Sequence, residues 1–187
     1  MRLDSAPVYT IGHSTRTADD FIALLRAHAI AQIADVRMFP MSRRLPHFNR
    51  DILAAHLARH EMAYRHLPAL GGRRRPRPDS VNGAWQHESF RGYADHMATP
   101  EFQKGLDDLL HYALPHDGSG GPTAIMCAES LWWQCHRRLI ADALVARQVP
   151  VVHIMTDTRT EPHAMTPFAV VHGVEVTYPS LLDRPLS

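Results

Sequence analysis

Lysine is nearly missing from this chain of 187 residues: Lys104 is the only one, and the other basic residues are arginines. Acidic and basic side chains balance to a formal charge of +1. That balance excludes a global field drawing the chain onto nucleic acid or a membrane surface. Cysteine is equally scarce, with Cys127 and Cys135 alone. Two cysteines argue against a disulfide framework and for reduced thiols in a cytoplasmic protein. No apolar run is long enough to span a bilayer, and Met1-Arg2-Leu3-Asp4 leads into a strand pattern without the apolar stretch of a signal peptide. No membrane partner is expected. Several catalytic signatures are also missing. There is no GxxxxGK[ST] loop, no GxGxxG after a strand, no GxSxG elbow and no CxxC. A tyrosine-phosphatase loop needs Cys, five residues and Arg. Counted from Cys127, that position is Trp133.

What is present is concentrated. Cys127-Ala128-Glu129-Ser130-Leu131-Trp132-Trp133-Gln134-Cys135-His136-Arg137 holds both cysteines, a carboxylate, an imidazole, a guanidinium and two of the three tryptophans. Thr123-Ala124-Ile125-Met126 before it reads as a buried strand, and Arg138 to Arg147 after it as a helix, with a start as early as Gln134. Such strand–loop–helix corners expose unpaired backbone N–H groups.

The rest of the chain alternates in the same way. Val8-Tyr9-Thr10-Ile11 is a short strand ended by Gly12-His13-Ser14. Thr17 opens a helix, with Asp20 in a near-capping-box position and Phe21, Leu24, Leu25 and His28 on one face. Gln32 to Arg37 is the next strand. Asn49 is a good N-cap for a helix reaching Glu61, with Ile52, Leu53, Leu57 and Ala58 turned inward. Tyr64–Leu67 reads as a third strand. The Arg-, Pro- and Gly-rich stretch Arg73 to Gly83 is the best candidate for a mobile loop. Helices follow at Ser89–Ala98 and Pro100–Ala113, the second capped by Thr99, then the strands Thr123–Met126 and Val151–Met155 and an edge strand over Val174–Tyr178. This order predicts an α/β fold: one three-layer domain over 1–187, with a mostly parallel sheet of about five strands and helices on both faces. Its core covers 8–155 and a C-terminal extension covers 156–187.

In a parallel sheet all C-terminal strand ends share one edge. Gly12, His13 and Ser14, then Asp35 and Arg37, then Cys127 and Glu129 therefore converge on one crevice. The catalytic candidates are Cys127, Glu129, Cys135 and His13; the ligand-binding candidates are Gly12, Ser14, Asp35, Arg37, Trp132, Trp133, His136 and Arg137. Cys127 suits a nucleophile or thiol carrier, Cys135 a resolving thiol, and Glu129 or His13 a general acid/base. Arg37 and Arg137 suit an anion, with help from a helix N-terminus. A helix start at Gln134 would give Cys135 a lowered pKa. The tryptophans are core anchors, stacking platforms or shields of the site.

This pattern fits a site binding or processing a small anionic ligand, a nucleotide or phosphorylated metabolite; an enzyme so built is a thiol-dependent transferase or hydrolase. An alternative is a nucleic-acid-binding module without catalysis, through Arg73-Arg74-Arg75-Pro76-Arg77. Another is a metal site from Cys127, Cys135 and His136, holding zinc or iron, although the spacing matches no standard finger; no other cofactor is predicted. His56 and His60 have helical metal-ligand spacing but read as surface histidines. Oligomeric state is not legible.

Thr10-Ile11-Gly12-His13-Ser14-Thr15, Asp35-Val36-Arg37 with Pro40 and Ser42, Leu70-Gly71-Gly72, Gly92-Tyr93-Ala94, Cys127-Ala128-Glu129 and Cys135-His136-Arg137 together resemble the signature of the DUF488 family, from about residue 8 to 155. The resemblance implies a small cytoplasmic prokaryotic α/β protein. It carries over no substrate or cofactor, because the family is a domain of unknown function.

Overall fold

The computed structural model describes residues 6–114 and 120–180. In chain order the elements are β1 (Val8–Gly12), α1 (Ala18–Ala27), β2 (Gln32–Asp35), α2 (Arg50–Ala58), β3 (Ala63–His66), α3 (Glu88–Met97), α4 (Pro100–Ala113), β4 (Thr123–Cys127), α5 (Arg137–Ala146), β5 (Val151–Ile154), β6 (Thr160–Pro162), β7 (Val170–His172) and β8 (Glu175–Thr177). Six strands form one sheet in the order β3-β2-β4-β1-β5-β6. The first five run parallel, and β6 pairs antiparallel with β5. No helix among the described residues is long and apolar enough to cross a membrane.

The side-chain alternation of the strands sorts the core into two layers. On one face Ile11, Ile33, Ala124 and Met126 pack with Phe21, Leu24 and Leu25 of α1 and with Leu53 and Leu57 of α2. On the other, Val8, Ala34, Ile125, Cys127 and Val151 pack with residues of α3, α4 and α5. Topology accounts for this split. The chain steps outward from β1 through β2 to β3, then turns back through β4 to β5. Parallel crossovers are right-handed, so reversing direction moves the helices to the opposite face. The neighbours β1 and β4 thus send their following helices, α1 and α5, to opposite faces. A crevice opens above their C-terminal ends, which is where open α/β sheets bind ligands.

Local sequence explains most helix starts. Thr17 Oγ1 accepts the Asp20 N–H at 3.1 Å, and Thr99 Oγ1 accepts that of Phe102 at 3.2 Å. Asn49 precedes α2 but does not cap it; its Oδ1 takes the Ser42 N–H at 2.6 Å and ties down the loop after β2. The inward face of α2 is narrower than its pattern suggests: Leu53 and Leu57 are buried, whereas Ile52 and Ala58 are exposed.

Two expectations change. The tail segment Glu175–Thr177 is not an edge of the main sheet; it pairs with β7 in a separate hairpin, and Val176 and Tyr178 pack into the α3–α5 core layer. The edge beside β5 is β6, three residues ending in Pro162, which lacks the alternation of a longer strand but is tolerated at an edge. The Arg73–Gly83 stretch is tied rather than loose. Asp95 of α3 accepts from the Arg77 N–H, the Ser80 hydroxyl and the Asn82 amide, and Asn82 in turn accepts the Tyr178 N–H.

Candidate functional site

The backbone closes the crevice first. Beyond the β1–β4 ladder, the His13 N–H bonds the Cys127 carbonyl and the Ser14 N–H the Ala128 carbonyl, both at 2.9 Å. Gly12 permits this approach: a Cβ there would lie 1.9 Å from the Glu129 carbonyl oxygen, far inside any real contact. The ends of β1 and β4 are therefore held against each other, and the side chains that follow both strands share one space.

The β2 side is fixed by charge. Arg37 donates Nε to Asp35 Oδ1 at 2.9 Å and Nη2 to Oδ2 at 2.6 Å, and Tyr64 donates its hydroxyl to Oδ2 at 2.6 Å. Asp35 is fully buried and Arg37 nearly so. A fork of this kind gives geometric definition as well as energy. Arg37 Nη1 also approaches His13 Nε2 at 3.3 Å. His13 Nδ1 lies 2.8 Å from the Ser14 carbonyl, which can only accept, so Nδ1 carries the hydrogen and Nε2 accepts from Arg37. The ring stacks on Phe48 at 4.0 Å. Burial, with the Arg37 charge adding, lowers the His13 pKa to about 4. Both nitrogens are thus occupied, and near neutrality the neutral ring bridges the Ser14 carbonyl and Arg37.

The floor is sulfur and imidazole. The ligand-type atoms of Cys127, Cys135 and His136 all lie within 4.8 Å of one another. His136 Nδ1 is 3.6 Å from Cys135 Sγ and 4.0 Å from Cys127 Sγ. His136 Nε2 donates to the Val36 carbonyl at 3.0 Å, which leaves the Nδ1 lone pair facing the sulfurs. Arg137, 1% exposed, donates Nε to Cys135 Sγ at 3.4 Å and Nη2 to the Glu129 carbonyl. Cys135 is held well below the usual thiol range, chiefly by the hydrogen bond from the Cys127 thiol, against its own burial, with the Arg137 guanidinium adding. The same bond, together with burial, pushes the Cys127 thiol well up. Both cysteines are free thiols. Helix α5 starts at Arg137, not Gln134, because Trp132–Gln134 forms a separate 3₁₀ turn. Cys135 thus precedes the helix, and its neighbours rather than a first-turn position favour the thiolate.

Above this floor lies a cleft of about 540 Å³. Of the side chains singled out by sequence, His13, Ser14, Arg37, Cys127, Glu129 and His136 line it. Gly12, Asp35, Cys135 and Arg137 stand behind and support those that do. Neither tryptophan lines it: Trp132 stacks on His153 at 4.0 Å, and Trp133 is 38% exposed. The guanidinium groups offered to an anion are already held, Arg37 by Asp35 and Arg137 by Cys135 and Glu129.

Sequence reading missed much of the opposite wall. Met38, Phe39, Met41, Ser42 and Leu45 follow β2 and face the cleft, with Ser130 and Arg73 across from them. Phe39 and Met41 are 68% and 80% exposed. Their signal was available: they directly follow a strand end on the ligand edge, yet are apolar in a polar loop. Of the basic run, Arg74 pairs with Glu101 and Arg77 with Asp79, while Arg73 lines the cleft.

No curated protein and no solved structure matches this chain. One family model does, over residues 17–144, a span that holds the Asp35–Arg37, Cys127–Glu129 and Cys135–Arg137 blocks and begins just after Gly12–Ser14. With its α/β sheet and its Cys127/Cys135/His136 cluster, the chain belongs to the family of the domain of unknown function DUF488.

Proposed function

We propose that the cleft above β1, β2 and β4 binds a small anionic ligand, a nucleotide or phosphorylated metabolite, and presents it to the Cys127–Cys135–His136 group. The observation that carries this reading is the pairing, in the lining of one cleft, of that sulfur–imidazole floor with Arg73, Ser14, Ser42 and Ser130. The volume is in the range of small-molecule sites, about 300–1,000 Å³. Phe39 and Met41 give the rim an apolar surface for a planar group, and Arg73 gives it charge for a phosphate. The free thiols fit a reducing, cytoplasmic setting.

Calorimetric titration with AMP and with pyrophosphate tests the reading. Binding of at least one is expected. Arg73→Ala should weaken it about tenfold, the equivalent of ~1.4 kcal/mol. Arg44→Ala, at an exposed position outside the cleft, should leave it unchanged. Absence of binding by both compounds, or equal binding by the Arg73 variant, removes the proposal.

A further inference from the structure

The floor of the cleft has the spacing of a metal site. A tetrahedral ion about 2.3 Å from sulfur and about 2.0 Å from nitrogen holds those ligand atoms ~3.6 Å apart. His136 Nδ1 already lies 3.6 Å and 4.0 Å from the two sulfurs and all three ligand atoms lie within 4.8 Å of one another, so side-chain shifts of at most about 1 Å complete the set.

The surroundings point the same way. A ligating histidine gives its other N–H to a carbonyl or carboxylate, which fixes the tautomer and aims the lone pair. His136 does this through the Val36 carbonyl, a bond that reaches from the end of β4's loop to the end of β2. The sulfurs have donors of their own: Arg137 Nε on Cys135 and the Glu129 backbone N–H on Cys127. Hydrogen bonds of this kind stabilise coordinated thiolates. The ring of His136 also sits against Tyr93, at 5.1 Å between centroids, in the apolar layer that contains both cysteines.

The number of ligands is informative. Among the described residues no further His, Cys, Asp or Glu joins the group. A structural zinc site is closed by four protein ligands, whereas a reactive one keeps three and an open position. Cys127 and His136 line the cleft and Cys135 lies behind them, so the missing fourth direction is the cleft itself.

We propose that Cys127, Cys135 and His136 bind one zinc-class divalent cation whose fourth coordination position opens into the cleft. Thiolate and imidazole donors in a tetrahedral set select such a cation over magnesium or calcium. The proton shared between the two sulfurs leaves to solvent as the metal binds. This inference deepens the reading of the cleft as an anion site, and rests on that reading for what occupies the fourth position. With Arg37 and Arg137 both held by other groups, the cation supplies the electrophile that those guanidinium groups do not.

The test uses the whole chain, purified without chelator or nickel resin, stripped with EDTA and titrated with cobalt(II). One equivalent should give the visible d–d bands of tetrahedral cobalt and a sulfur-to-cobalt charge-transfer band, and zinc should then bleach both. Cys135→Ser and His136→Gln should weaken cobalt binding by more than the ~10–100-fold that loss of an outer-shell partner costs. His56→Ala, outside both the cleft and the Cys127–Cys135–His136 group, should change nothing. A folded wild-type protein that shows no thiolate–cobalt band, or whose band survives Cys135→Ser, overturns the proposal. Adding orthophosphate or AMP to the cobalt form separates the two readings. A shift of the d–d bands supports both. An unmoved spectrum with a normal cobalt titration leaves the metal site standing and counts against the anion. Calorimetric binding of AMP to a protein that gives no cobalt band does the reverse.

Discussion

His136 and Val36, distant in sequence, are joined by a 3.0 Å hydrogen bond from imidazole Nε2 to the main-chain carbonyl just beyond β2. The carbonyl can only accept, so the bond decides which nitrogen of His136 faces the two sulfurs. Nitrogen NMR of the metal-free protein should therefore show His136 in the Nε2–H tautomer. An Nδ1–H signal would mean that the imidazole donates to sulfur instead.

Asp35 should be the most sensitive polar residue outside the floor. It is fully buried and accepts from Arg37 and Tyr64. Replacing it with Ala leaves the largely buried Arg37 charge without its carboxylate, and breaking such a pair costs ~3–5 kcal/mol. Tyr64→Phe removes one donor from a carboxylate that keeps its guanidinium partner, so ~0.5–1.5 kcal/mol is expected. Urea unfolding of both variants gives the order. Equal losses would show that the tyrosine, not the ion pair, carries the energy.

Acid should destabilise the fold through His153. Its ring is fully buried between Thr10, stacked Trp132 and His163, and His163 in turn bonds Asp142. Burial, then the neighbouring His163 and Arg137, lowers its pKa to about 3. Between that value and the unfolded pKa of ~6.5, the unfolded chain binds a proton that the folded chain refuses. Stability is thus complete above the upper value and falls toward the lower one, by up to ~1.4 kcal/mol per pH unit for this one group. The His153 ring resonances should stay unchanged from pH 7.5 to 5. A midpoint near the ordinary histidine value would sink the argument.

The Arg73–Gly83 stretch should stay protected for as long as Asp95 holds it. Asp95→Ala removes the acceptor for Arg77, Ser80 and Asn82 together. Trypsin should then cut faster after Arg73 and Arg74, the bonds after Arg75 and Arg77 being shielded by the following prolines. Cleavage at the wild-type rate would show that Gly92, whose missing side chain lets the backbone of Arg74 and Arg75 pass close, suffices to hold the loop.

The alternation of apolar runs and capped helices made the layered fold readable: Thr17 and Thr99 mark helix starts by side chains that cap locally, and β4 is buried throughout, with Ala124, Ile125 and Met126 apolar in succession, because both its faces are covered. The strand-end rule likewise brought His13, Arg37 and Cys127 together before any geometry was known. What escaped depends on contacts between distant segments. Nothing local in Pro162 or Val170 announces β6 or β7. Asn49 has the right type for a cap and is diverted by Ser42. Arg37 looks free for an anion until Asp35, Tyr64 and His13 surround it. The tryptophans read as site residues because they sit between Cys127 and Cys135, but a 3₁₀ turn carries them away from the cleft.

Access and charge make opposite demands on the two thiols, and alkylation of the metal-free protein shows which prevails. Cys135 is the sulfur that favours the thiolate, through the bond from Cys127 and the nearby Arg137. Cys127 keeps its proton but lines the cleft, which Cys135 does not. Nucleophilicity belongs to the thiolate, yet a reagent must touch sulfur to react. Iodoacetamide entering from the cleft should therefore place its first adduct on Cys127, slowly, with Cys135 modified only once the fold opens. Removing the Cys127 proton as the adduct forms leaves Cys135 without its donor, so the second sulfur should become harder to keep ionised rather than easier. Peptide mapping after partial reaction reads this directly. A first adduct on Cys135 would mean that the floor opens from the α5 side and that Cys127 is not the sulfur a ligand meets.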